Sequence, residues 1–83
     1  MEGLNTEILY KGSTHHIQTQ DKGIKAHYVE SLIYRAGKLL STRRTYYTAY
    51  LSHSNLKEKI KQLIKEQHKK ILTEISEGKF DHF

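Results

Sequence analysis

Histidines are the side chains of this sequence best suited to metal binding or acid–base chemistry: there are six of them, and no cysteine. His15 and His16 are neighbours in a β-favouring run, so in a strand they would point to opposite faces and could not bind one ion together. His68 has no second histidine four residues away on the predicted helix. We therefore expect no metal site and no cofactor.

Catalysis would need a nucleophile, a base and an orienting group that converge in space. Serine, histidine and aspartate are all present, but none lies in a nucleophile elbow, and the absence of cysteine excludes thiol chemistry. Four of the glycines stand alone at predicted turns or at a helix end, so none frames a phosphate-binding loop (Gly12, Gly23, Gly37 and Gly78). We predict that the protein is not an enzyme.

Lysine and arginine outnumber aspartate and glutamate by 14 to 9, which gives a net charge of +5 and makes a polyanion a plausible partner. In the predicted sheet, Arg43 and Lys25 share one face with Tyr47 and several hydroxyl groups. A basic face of this kind can follow a phosphate backbone while its aromatic rings stack on bases. Binding of single-stranded DNA or RNA at Lys25, Arg43 and Tyr47 is therefore one hypothesis, and a polar, solvent-facing sheet surface is the alternative.

A row of lysines recurs every four residues on the predicted helix (Lys57, Lys61, Lys65 and Lys69). Like charges at this spacing destabilise a helix by a few tenths of a kcal/mol per pair, and Glu58 and Glu66 can compensate part of that cost. The row indicates a solvated helix face, with anion binding as the alternative.

The elements that would position these residues are four strands and one helix, an α+β meander in a single domain over residues 1–83. The predicted strands cover about residues 6–10, 14–20, 24–34 and 39–48, the helix about 54–77, and a short tail 78–83. A turn at 12–13 would place Ile8 opposite Ile17. This pattern of β-branched and aromatic runs separated by glycine-containing turns is typical of antiparallel sheets.

The loop at 35–37 ends on Gly37, a residue that adopts the left-handed conformation without steric cost. This loop would place Leu32 opposite Leu40 and divide the third and fourth strands into two faces. The face expected to receive the helix carries mostly apolar and aromatic residues (Ile24, Ala26, Tyr28, Leu32, Tyr34, Leu40 and Tyr46). The other face carries Arg43 among polar residues but also Val29, which suggests that another subunit covers part of it.

The helical segment has apolar residues close to every 3.6 positions, with Asn55 and Glu58 placed to form a capping pair and Gly78 to end it. Such a helix would be about 36 Å long, against roughly 20 to 33 Å for the strands, so its end would extend past the sheet. We expect the exposed end to form a homodimer through Ile71, Leu72 and Ile75. The alternative is that the tail residues Phe80 and Phe83 fold back over it.

Several short segments resemble short uncharacterised bacterial proteins of unassigned function: residues 10–12, 16–21, 66–69 and 78–81. That resemblance implies no activity. The order of four strands and a helix is also similar to the dimeric single-strand-binding transcriptional coactivator fold, and this fold-level similarity favours nucleic-acid binding. No binding residue is carried over from that fold, because its basic, serine-rich leader has no counterpart in this sequence.

The N-terminal residues have no basic segment followed by an apolar run, and no 18-residue apolar stretch is present, so we expect a cytoplasmic protein without a membrane partner. The sequence therefore predicts a non-enzymatic interaction or structural module. Its expected partner is a second copy of itself, and single-stranded nucleic acid or an unidentified protein is the alternative.

Overall fold

The computed structural model describes residues 3–83, which form four antiparallel strands followed by one long helix. The strands are β1 (Gly3–Tyr10), β2 (Ser13–Asp21), β3 (Tyr28–Arg35) and β4 (Lys38–Tyr46), and the helix is α1 (Leu56–Ser76), with a 3₁₀ helix at Thr48–Tyr50 before it. The strands are ordered β1-β2-β3-β4 in one sheet. The predicted α+β meander with a C-terminal helix is thus confirmed.

The β1–β2 and β3–β4 hairpins each close through a turn of two residues with positive φ. Lys11 and Gly12 have φ of 49° and 79°, and Ala36 and Gly37 have φ of 51° and 81°. Two such residues form a type I′ turn, whose twist matches that of the flanking strands. The left-handed conformation predicted for Gly37 is confirmed, whereas the predicted 12–13 turn and the three-residue loop at 35–37 are wrong.

The tighter turns change the strand register from the predicted one. Ile8 pairs with His15 rather than Ile17, and Leu32 pairs with Thr42 rather than Leu40. A bulge next to the Ile33 pair inserts one extra residue into β4.

The loop between β2 and β3 takes residues that the sequence pattern assigned to a strand. Asp21 Oδ1 accepts the Gly23 N–H at 2.9 Å, and the Gly23 carbonyl accepts the N–H groups of Ala26 and His27 at 3.1 and 2.9 Å. These bonds close a turn, so β3 begins at Tyr28 and the predicted start at residue 24 is wrong.

Helix α1 packs on the sheet face opposite to the predicted one. Ile17, Val29 and Ile33 are fully buried beneath it. These β-branched side chains fill the space under the helix. The hydroxyl groups beside them form hydrogen bonds with side chains of the helix, so these polar groups can be buried as well. The tyrosines at 28, 34 and 46 and Leu32, predicted to lie under the helix, lie on the uncovered face.

The core consists of two apolar clusters separated by a polar layer. One cluster lies under the C-terminal half of α1 (Ile17, Ile33, Ile71, Ile75 and Phe80). The other lies under its N-terminal half (Val29, Tyr47, Ile60 and Ile64). The buried polar residues between them are Thr19, Ser31, Gln67 and His68. The helix contacts β2 most, then β1 and β3, and β4 lies to one side of it.

The two ends of α1 differ in how they are closed. Asn55 makes no side-chain capping bond, so the predicted Asn55–Glu58 capping pair is wrong. At the other end, the N–H of Gly78 donates to the carbonyl of Ile75 and that of Lys79 to the carbonyl of Glu74, both at 3.0 Å. This is a Schellman motif, and it turns the tail back over the helix. Within residues 3–83, no helix reaches the length and apolarity that crossing a bilayer requires.

Candidate interaction surface

Arg43 lies beside the helix and does not face outward as predicted. Its Nη1 and Nη2 atoms donate to the two carboxylate oxygens of Glu74 at 3.0 and 2.7 Å. This fork holds the pKa of Glu74 below its ordinary value. The prediction of an open basic face at Arg43 is wrong because α1 covers that side of the sheet.

Tyr47 and Lys25 are not brought together with Arg43 on an open face. Tyr47 is fully buried, and its hydroxyl donates to Asp21 Oδ1 at 2.6 Å, with the Gly23 carbonyl 3.0 Å away. Burial is the main cause that raises the pKa of Tyr47. Lys25 is exposed in the loop between β2 and β3. The Tyr47 ring therefore holds that loop and has no surface on which a base could stack.

The residues predicted as dimer contacts lie inside the monomer. Ile71 and Ile75 are fully buried against the sheet, and Leu72 is half-buried at the edge of the same cluster. The helix does not present them at a free end, and Ile71 and Ile75 are not accessible for the contact predicted for them. The alternative, a tail that folds back, is confirmed for Phe80, which is 5% exposed within the cluster. Phe83 is 48% exposed and stacks on the Phe80 ring, with 5.6 Å between the ring centroids.

The polar layer is one continuous chain of hydrogen bonds. Gln67 Nε2 donates to Ser31 Oγ at 2.8 Å, and Ser31 Oγ lies 2.7 Å from Thr19 Oγ1. Thr19 Oγ1 lies 2.7 Å from His68 Nδ1, whose Nε2 lies 2.8 Å from Thr6 Oγ1. No buried side-chain polar atom in residues 3–83 lacks a partner. The layer therefore carries little of the penalty that buried polar groups otherwise bring.

The direction of this chain follows from counting protons. The Gln67 amide nitrogen also donates to the Arg43 carbonyl at 3.2 Å, which fixes its orientation. Ser31 then accepts from Gln67 and donates to Thr19, Thr19 donates to His68 Nδ1, and His68 Nε2–H donates to Thr6. The reverse direction would leave the buried Ser31 hydroxyl hydrogen without an acceptor. His68 is thus neutral, in agreement with burial lowering its pKa.

Polar side chains also converge where the tail meets the first hairpin. Lys11 Nζ donates to Asp81 Oδ2 at 2.7 Å, and Tyr10 donates to the same oxygen at 3.5 Å. The hydrogen bond raises the pKa of Lys11 and lowers that of Asp81. Arg35 donates to the carbonyls of Phe80 and Phe83. These groups are occupied in holding the tail. In residues 3–83 no three His, Asp or Glu side chains are grouped so as to hold a metal ion.

Among residues 3–83, no element covers the sheet face away from α1, and we call it the open face. Paired residues form rows across the strands: Glu7, His16, Tyr34 and Leu39; then Asn5, Gln18, Leu32 and Thr42; then Gln20, Glu30 and Arg44; and finally Tyr28 and Tyr46. Leu9, near the end of β1, pairs with Thr14 in the row beyond the first and is 76% exposed. Leu39 and Tyr46 are 50% and 57% exposed. Large apolar side chains therefore lie in water at both ends of the face.

The open face has no net formal charge. Glu30 Oε2 accepts Arg44 Nε at 3.0 Å, and its other oxygen lies 3.9 Å from Lys22 Nζ. Glu7 is the second acid, so two acidic groups balance two basic ones, Arg44 and Lys22, the latter in the loop beside the face. The Arg44 guanidinium lies over the Tyr28 ring at 4.6 Å. The excess positive charge of the protein therefore lies on the helix and the turns.

The alternation within β2 contains a signal that could have identified the open face from sequence. Ile17 and Thr19 alternate with Gln18 and Gln20, which marks the odd positions as the buried ones. Extending that side across the sheet would have placed Val29 under the helix.

Comparison of the chain with protein-family models, curated proteins and solved structures finds no match.

Proposed function

We propose that this protein is a non-enzymatic interaction module that binds a second copy of itself through the open face. The observation that carries the proposal is the exposure of Leu9, Leu39 and Tyr46 on a sheet that α1 covers on one side alone. Exposed apolar and aromatic residues on a polar background are typical of protein interfaces.

The size of the open face supports a stable contact. Four strands about 4.8 Å apart and about eight residues long give a footprint of roughly 19 by 27 Å, or about 500 Å² in projection. Its side-chain relief makes the accessible area larger than that projection. A standard interface buries about 800 Å² on each partner, so this face has the scale that a dimer needs.

The charge distribution favours a second copy as the partner. The protein carries +5, so two copies repel each other through most surfaces. The open face is balanced and adds no repulsion of its own. A twofold axis through its centre would bring Leu32 of one copy near Leu32 of the other, as a symmetric interface requires.

Sedimentation equilibrium tests the dimer. We expect twice the monomer mass for the wild type, and a monomer for Leu32→Asp, because burying two facing carboxylates at the centre of the contact is strongly unfavourable. Ile24→Asp is the matched control, since Ile24 is 64% exposed in the loop between β2 and β3. Circular dichroism establishes that both variants are folded. A wild type that stays monomeric at millimolar concentration would refute the proposal.

Cysteine cross-linking locates the contact. The sequence contains no cysteine, so Leu32→Cys introduces a single thiol. Under mild oxidation we expect a disulfide-linked dimer to form rapidly from Leu32→Cys and slowly from Ile24→Cys. Equal rates would mean that the open face is not where the two copies meet.

Single-stranded DNA or RNA binding is a second candidate function, which would use the open face. The supporting observation is the cluster of Tyr28, Tyr46 and Arg44, in which the two rings lie 5.0 Å apart. Rings and a guanidinium at this spacing can stack on bases. A fluorescent single strand should then bind with an affinity that falls steeply with salt, and Tyr46→Ala should weaken it. Absence of binding at low salt would exclude this candidate.

A further inference from the structure

β4 is an edge strand, and its outer side is free within the part of the chain that the structure describes. The N–H of Tyr47 donates to the carbonyl of His27 at 2.8 Å, which fixes the alternation of hydrogen-bonded pairs along β3 and β4. By that alternation, the backbone N–H and C=O groups of Arg43 and Thr45 form hydrogen bonds with β3. The backbone N–H and C=O groups of Thr42, Arg44 and Tyr46 therefore point to the free edge.

A groove runs beside this edge because α1 lies over β2 rather than over the middle of the sheet. Its floor is formed by β4 and its wall by the flank of the helix (Arg43, Thr45, Leu63, Glu66, Gln67, Lys70 and Glu74). A strand added to β4 would place alternate side chains in this groove and the others beside the open face.

The groove suits uncharged side chains. Its four charged residues are two bases and two acids, and Arg43 and Glu74 neutralise each other through their fork. The Arg43 side chain is 35% exposed and that of Glu74 13%. Leu63 is half-buried in the groove wall and offers an apolar surface. Alternate residues of an added strand would therefore be apolar.

The other side of the edge favours acidic side chains. Arg44 and Lys22 share a single carboxylate, that of Glu30, which leaves one positive charge in excess there. The Arg44 side chain is 50% exposed. No acidic residue occurs in β4 itself, and the whole protein carries +5, so an acidic strand would be attracted and a basic one repelled.

We propose that β4 binds an extended acidic segment of a partner protein, which adds to the sheet as a fifth strand beside α1. Its backbone pairs with Thr42, Arg44 and Tyr46, its apolar residues enter the groove next to Leu63, and its acidic residues lie next to Arg44. Such strand addition takes affinity from main-chain hydrogen bonds and specificity from alternate side chains. The proposal concerns the sheet edge and is independent of the dimer through the open face.

The probe is a fluorescent seven-residue peptide of alternating valine and glutamate, and the reference peptide has lysine in place of glutamate. Anisotropy titrations with the wild-type protein should show binding of the glutamate peptide at least tenfold tighter than that of the lysine peptide. Amide chemical shifts should change along β4 and the flank of α1 that carries Leu63.

Thr42→Pro removes one outward N–H while leaving the bonds between β3 and β4 in place, a substitution that edge strands tolerate. We expect it to weaken binding of the glutamate peptide at least tenfold. Thr42→Val is the matched control, because it keeps the N–H and the β-branched shape, and its affinity should stay within twofold of wild type. Thermal melts establish that both variants are folded.

Three results would overturn the proposal: no binding of the glutamate peptide at millimolar concentration, equal binding of the two peptides, or unchanged affinity in Thr42→Pro. If Thr42→Pro abolishes self-association while Leu32→Asp does not, the edge serves a second copy and the proposal is also wrong. Leu32→Asp should bind the peptide as the wild type does, so failure of the dimer and failure of this proposal are distinguishable.

Discussion

Thr19 Oγ1 on β2 lies 2.7 Å from His68 Nδ1 on α1, in the polar layer between the two apolar clusters. Both residues are nearly fully buried. A shift of the helix by one turn would break this contact and leave both groups without partners. The polar layer therefore specifies how α1 sits on the sheet, while the apolar clusters on either side supply the hydrophobic stabilisation.

Thr19→Val tests this role. The substitution keeps the shape of the side chain but leaves the Ser31 hydroxyl hydrogen and His68 Nδ1 without partners. We expect the free energy of unfolding to fall by about 1–3 kcal/mol. Urea denaturation measures it, and Thr14→Val is the control, since Thr14 is exposed on the same strand. Equal effects of the two substitutions would contradict a structural role for the network.

Stability should depend on the protonation of His68. Burial lowers its pKa below the ordinary 6.5, so the unfolded chain takes up a proton first as the pH falls. The stabilisation is complete above pH 6.5 and is lost as the pH drops below it, with a slope of at most about 1.4 kcal/mol per pH unit for one proton. Urea midpoints between pH 7.5 and 5 should fall less steeply in His68→Gln. Identical slopes would rule out this assignment.

The Arg43–Glu74 fork should contribute to resistance to acid. Hydrogen bonding to Arg43 lowers the Glu74 pKa below its ordinary 4.5. Its contribution is present above pH 4.5 and is lost as the pH falls towards the folded-state pKa. Arg43→Met should therefore be less stable at pH 7 by about 1 kcal/mol, and the difference from wild type should shrink towards pH 3. Lys65→Met, on the exposed helix face, should show no such convergence.

Gly78→Ala should be more destabilising than Gly12→Ala. Both glycines have φ near +80°, so both substitutions cost roughly 1–2 kcal/mol for the left-handed conformation. At Gly78 a Cβ would also lie 3.0 Å from Asp81 Oδ2 and 3.3 Å from the Tyr10 hydroxyl, whereas at Gly12 it meets nothing within 4 Å. Thermal melts compare the two. An equal loss of stability in the two variants would show that the contacts of Asp81 and Tyr10 next to Gly78 rearrange without an energetic cost.

Ile71→Ala distinguishes a core residue from a dimer contact. Because Ile71 is fully buried within one chain, we expect a loss of about 2–5 kcal/mol that does not depend on protein concentration. Ile24→Ala, at an exposed position, should have little effect. A loss that disappears at high protein concentration would instead support the contact predicted from the helix pattern.

The sequence was informative where a signal is local. The helical period placed α1 within two residues of its bounds, and Gly78 marked its end because a Schellman motif needs a residue that tolerates positive φ. Registers were not predicted correctly, since Lys11 and Ala36 adopt positive φ although neither is a glycine. The residues of a turn do not reveal that a non-glycine residue adopts positive φ there, because the pairing of the whole strands compensates the strain.

The candidate surface was misplaced for a related reason. The sequence pattern assigned Tyr28, Leu32 and Tyr34 to the covered face because they are the larger apolar residues, and it left Ser31 and Arg43 to solvent. In the folded chain, Ser31 hydrogen-bonds to Gln67 and Arg43 to Glu74. Both partners lie on the helix, more than thirty residues away in sequence. Partners at that distance cannot be identified from a strand's own alternation.

The amino-acid sequence by itself determined the meander, the single helix, the positions of the turns after β1 and β3 to within a residue, and the basic charge. Those features follow from backbone propensity, period and composition, which act over a few residues. The tertiary structure alone decided which sheet face α1 covers, that the sheet and the tail together bury Ile71 and Ile75, and that an aromatic face and a free edge remain open among the described residues. These outcomes depend on hydrogen bonds and packing between distant segments, because a buried polar group is tolerated when its partner arrives from elsewhere in the chain.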